Sequence, residues 1–229
     1  MLRFEDVVVL QGAFTLRAEV EVPVGARGAR MGASGSGKST LLSTLAGFTL
    51  PDAGRIWIDG QDVTEKDVAA RPLSILFQDG NLFPHLSVFD NVALGRDPRL
   101  RLSTADREAV EAALNQVDLG GFGGRKPADL SGGQQSRVAL ARLLLRQQPL
   151  ALLDESFAAL DPGLRREMLD QVKALCEAQG LTLVMATHDL RDAERLCDNL
   201  ILLDAGKVVL DQPLAEAVDS QAPALQPWM

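Results

Sequence analysis

The chain opens on alternation. Across residues 2–10, and again in Thr15-Leu16-Arg17-Ala18-Glu19-Val20-Glu21-Val22, apolar and polar side chains trade places. That is the period of strands with one buried face, and it predicts a β-rich start. The second run reads as an exposed antiparallel strand. Residues 25–31 read as the next strand, although Arg27 and Arg30 interrupt the apolar run that a buried parallel strand keeps whole. From Ser39 the period becomes helical, with Leu41, Leu42, Leu45 and Ala46 on one face and Gly47 at the end. Pro51-Asp52-Ala53-Gly54 reads as a turn, and Arg55-Ile56-Trp57-Ile58 as a short strand closed by Asp59-Gly60. Leu73-Ser74-Ile75-Leu76-Phe77 reads as another strand, leading into Gln78.

Residues 85–127 read as mostly helical and inserted. Ser103 caps a helix whose apolar face is Ala105, Val110, Ala113, Leu114 and Val117, and the glycines at 120, 121, 123 and 124 end it. Ser131 caps a second helix running to about Arg146. A strand-helix-strand alternation follows: residues 150–153, a helix begun by Asp161-Pro162 and stopped by Gly180, and residues 181–186 ending near His188. Such alternation implies a mostly parallel sheet with right-handed crossovers, an α/β fold. Residues 200–203 and 207–210 form a hairpin through Asp204-Ala205-Gly206. The tail after Ala222, with Pro223 and Pro227, is expected to fray.

Bulk properties narrow this little. The 229 residues suit one large α/β domain, or one with an inserted subdomain. No apolar run approaches the ~20 residues that span a bilayer, so a membrane role would be peripheral. The early acidic N-terminus is not a secretory signal. A net charge of -8 argues against a broad nucleic-acid footprint. Cys176 and Cys197 read as buried, reduced thiols of a cytosolic protein.

Chemistry is concentrated at a few places. Gly32-Ala33-Ser34-Gly35-Ser36-Gly37-Lys38-Ser39-Thr40 fits G-x-x-x-x-G-K-[ST]. The glycines let several backbone N–H groups converge on a phosphate, and the helix behind adds its positive end. Lys38 is placed to reach the β- and γ-phosphates, and the Ser39 hydroxyl to bind Mg2+. The plain alternative, a Gly/Ser turn before a helix, leaves the Lys-Ser-Thr placement unexplained. Leu150-Ala151-Leu152-Leu153-Asp154-Glu155 is an apolar strand ending in two carboxylates. Asp154 would help hold Mg2+ through water, and Glu155 would orient the attacking water. Ser131-Gly132-Gly133-Gln134 is either a helix cap alone or a second phosphate-seeking loop. A chain with its own phosphate loop has use for another only with a second nucleotide or a second subunit. Gln78 and His188 each follow an apolar strand. Gln78 would complete the Mg2+ shell, and His188 would bond the γ-phosphate. Asn81-Leu82-Phe83-Pro84-His85-Leu86 is either a loop folded onto the core or a docking surface for another protein. Residues 62–67 read as a solvated loop.

Together these residues resemble the ATP-binding subunits of ABC transporters over nearly the whole chain. Residues 32–40 look like the Walker A motif, Gln78 like the Q-loop, and Leu130-Ser131-Gly132-Gly133-Gln134 like the signature. Residues 150–155 look like Walker B, Ala159-Leu160-Asp161 like the D-loop, and His188 like the switch histidine. The resemblance implies a P-loop core, an antiparallel β subdomain and a helical subdomain inserted at about 85–127, all within one ATPase domain over 1–229. It implies ATP and Mg2+ as cofactors, and a head-to-tail homodimer in which Lys38 of one copy and Ser131 of the other grip one ATP. Asp161 would join that interface. Transmembrane permease subunits would dock on the loop after Gln78, and a periplasmic binding protein would act indirectly. The location implied is peripheral, on the cytoplasmic face of the inner membrane.

Within the family, the stretch 71–86 and Asn91-Val92-Ala93-Leu94-Gly95 are similar to ATPase subunits of thiamine importers. Importers of sulfate, polyamines or metals are the alternative. A soluble non-transport ABC ATPase would need coiled coils or a second ATPase half, and an inactive interaction module is a further reading. Three departures stand out. Gln11, with Phe14 close by, occupies the usual place of an adenine-stacking aromatic, in a chain without tyrosine. Ser156 stands where the family usually has proline. Gln135-Ser136 follows the signature where a basic residue is common.

Overall fold

The computed structural model describes residues 1–77, 81–158 and 160–228. In chain order its elements are β1 (Leu2–Gln11), β2 (Phe14–Val22), β3 (Arg27–Met31), α1 (Lys38–Ala46), β4 (Ala53–Ile58), β5 (Gln61–Asp62) and β6 (Leu73–Leu76). Then come α2 (Val88–Ala93), α3 (Thr104–Gln116), α4 (Gly132–Leu145), β7 (Leu150–Asp154), α5 (Pro162–Gln179) and β8 (Thr182–Ala186). The chain closes with α6 (Leu190–Leu196), β9 (Asn199–Asp204), β10 (Lys207–Pro213) and α7 (Leu214–Asp219). Two units divide it: Met1–Leu73, Pro149–Glu155 and Val172–Met229 form the first, Ser74–Gln148 and Ser156–Gln171 the second. Among the described residues no helix is long and apolar enough to cross a membrane.

The first unit is built on a sheet in the order β5-β4-β1-β2-β10-β9-β3-β8-β7. β1 pairs antiparallel with β2 and β4, whereas β3 lies parallel between β8 and β9. β2 is therefore interior, exposed on one face only: Leu16, Ala18, Val20 and Val22 point into the core. In β1 the pairing register shifts between Phe4 and Val7, and Asp6 takes φ +49°. This extra residue lets Leu2, Phe4, Val7 and Val9 all be buried, although the simple alternation would put the last two outside.

β3 forms despite its arginines. Arg27 leaves the strand's edge and pairs with Asp198 and Glu177, both at 2.7 Å. Arg30 is completely buried, and among the described residues its three guanidinium nitrogens have no hydrogen-bond partner. It lies 5.5 Å from the centre of the Phe4 ring, and burial lowers its pKa to about 10. Ladders on both sides override the poor local pattern.

Behind the loop, α1 is closed by Gly47 at φ +91°. Arg71, also fully buried, clamps this end by donating to the carbonyls of Thr44 and Leu45 at 2.7 and 2.8 Å. The same guanidinium reaches the Lys66 and Thr64 carbonyls, each at 3.0 Å. A cation at a helix C-terminus also complements the dipole.

In the second unit, α2 and α3 cover less than half of residues 85–127, so that stretch is not mostly helical. Polar side chains hold the rest in turns. The buried Asn91 accepts from the Phe83 N–H at 2.8 Å and donates to the carbonyls of Phe83 and Ser87. Asp97 and Asp106 fix the turn into α3. The C-terminal tail does not fray either. Pro223–Trp228 form a 3-10 turn whose Leu225 is fully buried. Cys176 and Cys197 are free and buried, and burial pushes both thiols up, Cys176 to about 11.

Candidate active site

The loop between β3 and α1 needs its glycines. Gly32 has φ +154°, and a side chain there would meet the Leu203 carbonyl and Ser36. The Ser36 N–H donates to the Ala33 carbonyl at 3.1 Å, and the Ser36 carbonyl accepts from Gly206 N–H at 3.0 Å. The Lys38 ammonium folds back onto the carbonyls of Gly32 and Ala33, at 2.6 and 3.0 Å. Gly37, at φ +110°, provides no side-chain cap, so the first N–H groups of α1 keep their donor capacity.

Register brings the acids to this loop. Asp154 pairs with Ala186 in the parallel β7–β8 ladder, and Ala186 pairs with Arg30 at the end of β3. Residues just past these positions share one sheet edge. Glu155 takes φ +45°, and its N–H reaches the Ala186 carbonyl at 3.2 Å. Its Oε2 lies 3.4 Å from His188 Nδ1. Burial raises the Asp154 carboxyl pKa, the Glu155 charge raises it further, and Lys38 opposes both. A cleft of about 640 Å³ joins Ser34, Gly35, Gly37, Lys38, Ser39 and Thr40 to Glu155 and His188. Gln11 and Phe14, from the β1–β2 turn, line it as well.

The remaining motif residues lie in the second unit. Ser131 caps α4: its hydroxyl accepts from Gln134 N–H at 3.3 Å, and its own N–H donates to Gln134 Oε1 at 3.0 Å. Gly132 faces open space, whereas a side chain on Gly133 would strike Leu164. Asp161 caps α5, with Oδ1 accepting from Gly163 and Leu164 N–H at 3.1 Å. Gln135 donates to the Pro127 carbonyl at 2.9 Å, bracing the turn before the signature. The buried Ser156 hydroxyl donates to the Leu76 carbonyl at 2.6 Å, which gives this residue a structural task at the end of β6. Gln78, with Asp79, Gly80 and the D-loop's Ala159, lies outside the described residues.

Several contributors escaped the sequence reading. Gly206 appears there only as a hairpin residue, yet its N–H supports the phosphate loop, and a Cβ on it would meet the Thr15 carbonyl. Arg71 is read from the sequence only as the start of the stretch 71–86, and its structural role exists only once the carbonyls of α1 are placed.

A glycine-rich loop gripping its own lysine, seated on a helix N-terminus at the carboxyl edge of a sheet, is the arrangement that marks the P-loop nucleoside triphosphatase fold. The ABC transporter family model matches residues 17–158, and the chain belongs to that family. It is 67% identical over its full length to the thiamine import ATP-binding protein ThiQ of Jannaschia sp. (strain CCS1), all of which is covered. To the protein of that name from Ruegeria sp. (strain TM1040) it is 46% identical, over 100% of this chain and 99% of the relative. Among solved structures it resembles cbiO1 from Clostridium perfringens, part of the ABC transporter complex cbiONQ. There the TM-score is 0.86 at 27% identity, over 99% of this chain and 93% of the other. It also resembles the ATP-binding cassette MJ0796 in a dimeric post-hydrolysis state bound to ADP and Pi. That match has a TM-score of 0.78 at 30% identity, over 93% of this chain and 99% of the other.

Proposed function

We propose that the chain is the ATP-hydrolysing subunit of an importer for thiamine. The observation that carries the chemistry is the single cleft joining the Lys38 loop to Glu155 and His188. Full-length identity of 67% to a thiamine import ATP-binding protein supports the cargo. In this reading the backbone N–H groups of residues 32–40 cradle the phosphates, and Lys38 leaves its loop carbonyls for the β- and γ-oxygens. Glu155 orients and polarises the attacking water. His188 bonds the γ-phosphate, and its 3.4 Å approach to Glu155 keeps the two groups in register. Phosphoryl transfer asks mainly for positioning and charge stabilisation, which these groups supply.

Mg2+ fits the donor set. Among the described residues no group of three or more His, Cys, Asp or Glu could hold a metal alone. Ser39 and Asp154 offer one hydroxyl and one carboxylate, the sparse oxygen set typical of an ion that shares its shell with phosphates. Gln78 would add a third oxygen. When bound, the ion neutralises phosphate charge.

Ser131, Gly132, Gly133, Gln134 and Asp161 would complete the ATP site from a second copy of the chain. Gly132 favours this, because its own fold leaves room for a side chain there. The solved dimeric cassette bound to ADP and Pi is a precedent in a related protein. The chain would act as one ATPase domain with its insertion at about 85–127. It would dock on permease subunits at the cytoplasmic face of the membrane, through the loop that Asn91 holds around Phe83. A periplasmic binding protein would deliver the solute.

The test is reconstitution with the permease and binding protein in vesicles. Thiamine should stimulate ATP turnover. Lys38→Ala and Glu155→Gln should each cut turnover by at least about 100-fold, and Glu155→Gln should accumulate an ATP-bound dimer. A monomeric Glu155→Gln protein at saturating ATP, in the assembled transporter, would defeat the dimer mechanism. Stimulation by sulfate or polyamine instead would defeat the cargo assignment.

A further inference from the structure

Two helices of the second unit begin side by side and point the same way. Gly133, in the first turn of α4, packs against Leu164, in the first turn of α5, so closely that a Cβ on Gly133 would overlap the leucine side chain. One turn further along each helix, the Arg137 guanidinium pairs with the Glu167 carboxylate. The contacts advance in the same direction on both helices, so α4 and α5 run parallel at their starts. Their caps, Ser131 and Asp161, therefore lie at the same end. Parallel neighbours bring like dipole ends together, and these repel. The bare backbone of Gly133 lets the helices approach but gives Leu164 little to hold. Arg137 supplies the hold. Its other terminal nitrogen lies 3.8 Å from Asp118 Oδ2, in the turn after α3. Gln171, one turn beyond Glu167 on α5, donates to the same Asp118 oxygen at 3.2 Å. One guanidinium thus joins α4 to α5 directly, and again through Asp118. The Arg137 side chain is only 17% exposed, so the pairing is screened less than one between two surface side chains.

We propose that Arg137 is a positioning residue that fixes the spacing of α4 and α5. Ser131 and Gly132 on one helix and Asp161 on the other then meet a second copy of the chain as one rigid surface. This rests on the dimer reading above and names what holds one half of that interface in shape. Arg137 sits about 9 Å along the axis of α4 from Ser131, behind the surface, and acts through the two helices. The task needs arginine: its planar fork reaches acceptors on two different elements, which a single ammonium cannot do with the same geometry.

The experiment uses the reconstituted transporter carrying Glu155→Gln, whose closed dimer should retain ATP. The rate at which ATP escapes after free nucleotide is removed reports how firmly the two copies hold. Arg137→Met should speed escape by about tenfold or more, the effect of losing a charged hydrogen bond. Equilibrium binding of ATP to the purified monomer, which depends on the Lys38 loop, should not change. Arg137→Lys should recover part of the loss, because the charge returns without the fork. Glu167→Gln, at the more exposed end of the pair, should speed escape by about two- to fivefold. It carries the test by itself if Arg137→Met does not fold. Combined with Arg137→Met it should add nothing, since both changes break the same contact. Escape from Arg137→Met or Glu167→Gln as slow as from the parent would overturn the proposal. So would additive effects in the double variant, or an equal weakening of ATP binding to the monomer. A Glu155→Gln parent that forms no ATP-retaining dimer is a different result: it ends the dimer reading itself, and the proposal with it.

Discussion

Replacing Arg30 with methionine should stabilise the protein. Arg30 is wholly buried in β3, with all three guanidinium nitrogens unpartnered among the described residues. Burial lowers its pKa to about 10, well below the ordinary guanidinium value, and only the charge of Asp211 pulls the other way. At about 1.4 kcal/mol per unit, that displacement is a cost of about 3 kcal/mol at neutral pH. The Phe4 ring, 5.5 Å away, returns about 1–2 kcal/mol through its π face. Methionine has similar length, adapts to irregular space and needs no partner. The net gain is therefore about 1–3 kcal/mol, which is about 3–10 °C in melting temperature for a chain of this size. Thermal and urea unfolding of both proteins at pH 8 measure it directly. A second arm uses pH. The folded pKa is depressed, so above about pH 10 and up to the ordinary guanidinium value the unfolded chain holds more protons than the folded one, and wild-type stability rises with pH there. Methionine lacks this gain, so the advantage of Arg30→Met should shrink as pH passes 10. A variant that melts below the wild type, or an advantage that does not change with pH, would refute the argument.

Three further outcomes follow from the same geometry. Arg71→Ala removes donors to four backbone carbonyls, two at the end of α1, and should cost about 3 kcal/mol or more in urea unfolding; a loss below about 1 kcal/mol would show that water replaces the guanidinium. Asp154→Asn should raise the melting temperature while abolishing Mg2+-dependent turnover. The raised carboxyl pKa means that the folded state favours the protonated form, so wild-type stability should fall as pH rises through that range and the variant's should not. Gly132→Ala should leave the melting temperature of the isolated chain unchanged but suppress ATP-driven dimerisation, whereas Gly133→Ala, facing Leu164, should destabilise the chain itself; equal melting temperatures for the two variants would contradict the packing.

Legibility followed the source of each constraint. The glycine-rich loop before α1 could be read because a motif of fixed residue types at fixed spacing, G-x-x-x-x-G-K-[ST], is satisfied locally by residues 32–40. Glu155 and His188 could be read because each sits a fixed step past a buried strand, and strand ends gather at one edge whatever the loops do. What could not be read depends on partners distant in sequence. Gly206 matters because its N–H meets Ser36, and Arg71 because four carbonyls converge on it. Ser156 departs from the family's usual proline, and its hydroxyl finds the Leu76 carbonyl eighty positions earlier in the chain. Arg30 shows the opposite error. Its charge argued against a buried strand, and the strand formed nonetheless, because the ladders to β8 and β9 depend on backbone rather than on the side chain. The mismatch that weakened the reading of β3 persists in the folded protein as a buried cation without a hydrogen-bond partner among the described residues. The carbonyl of the same residue receives the Thr187 N–H at 3.1 Å, one position before His188. The backbone of β3 thus supports the turn before the histidine while its side chain is expected to cost stability, which is why exchanging only the side chain tests the two apart.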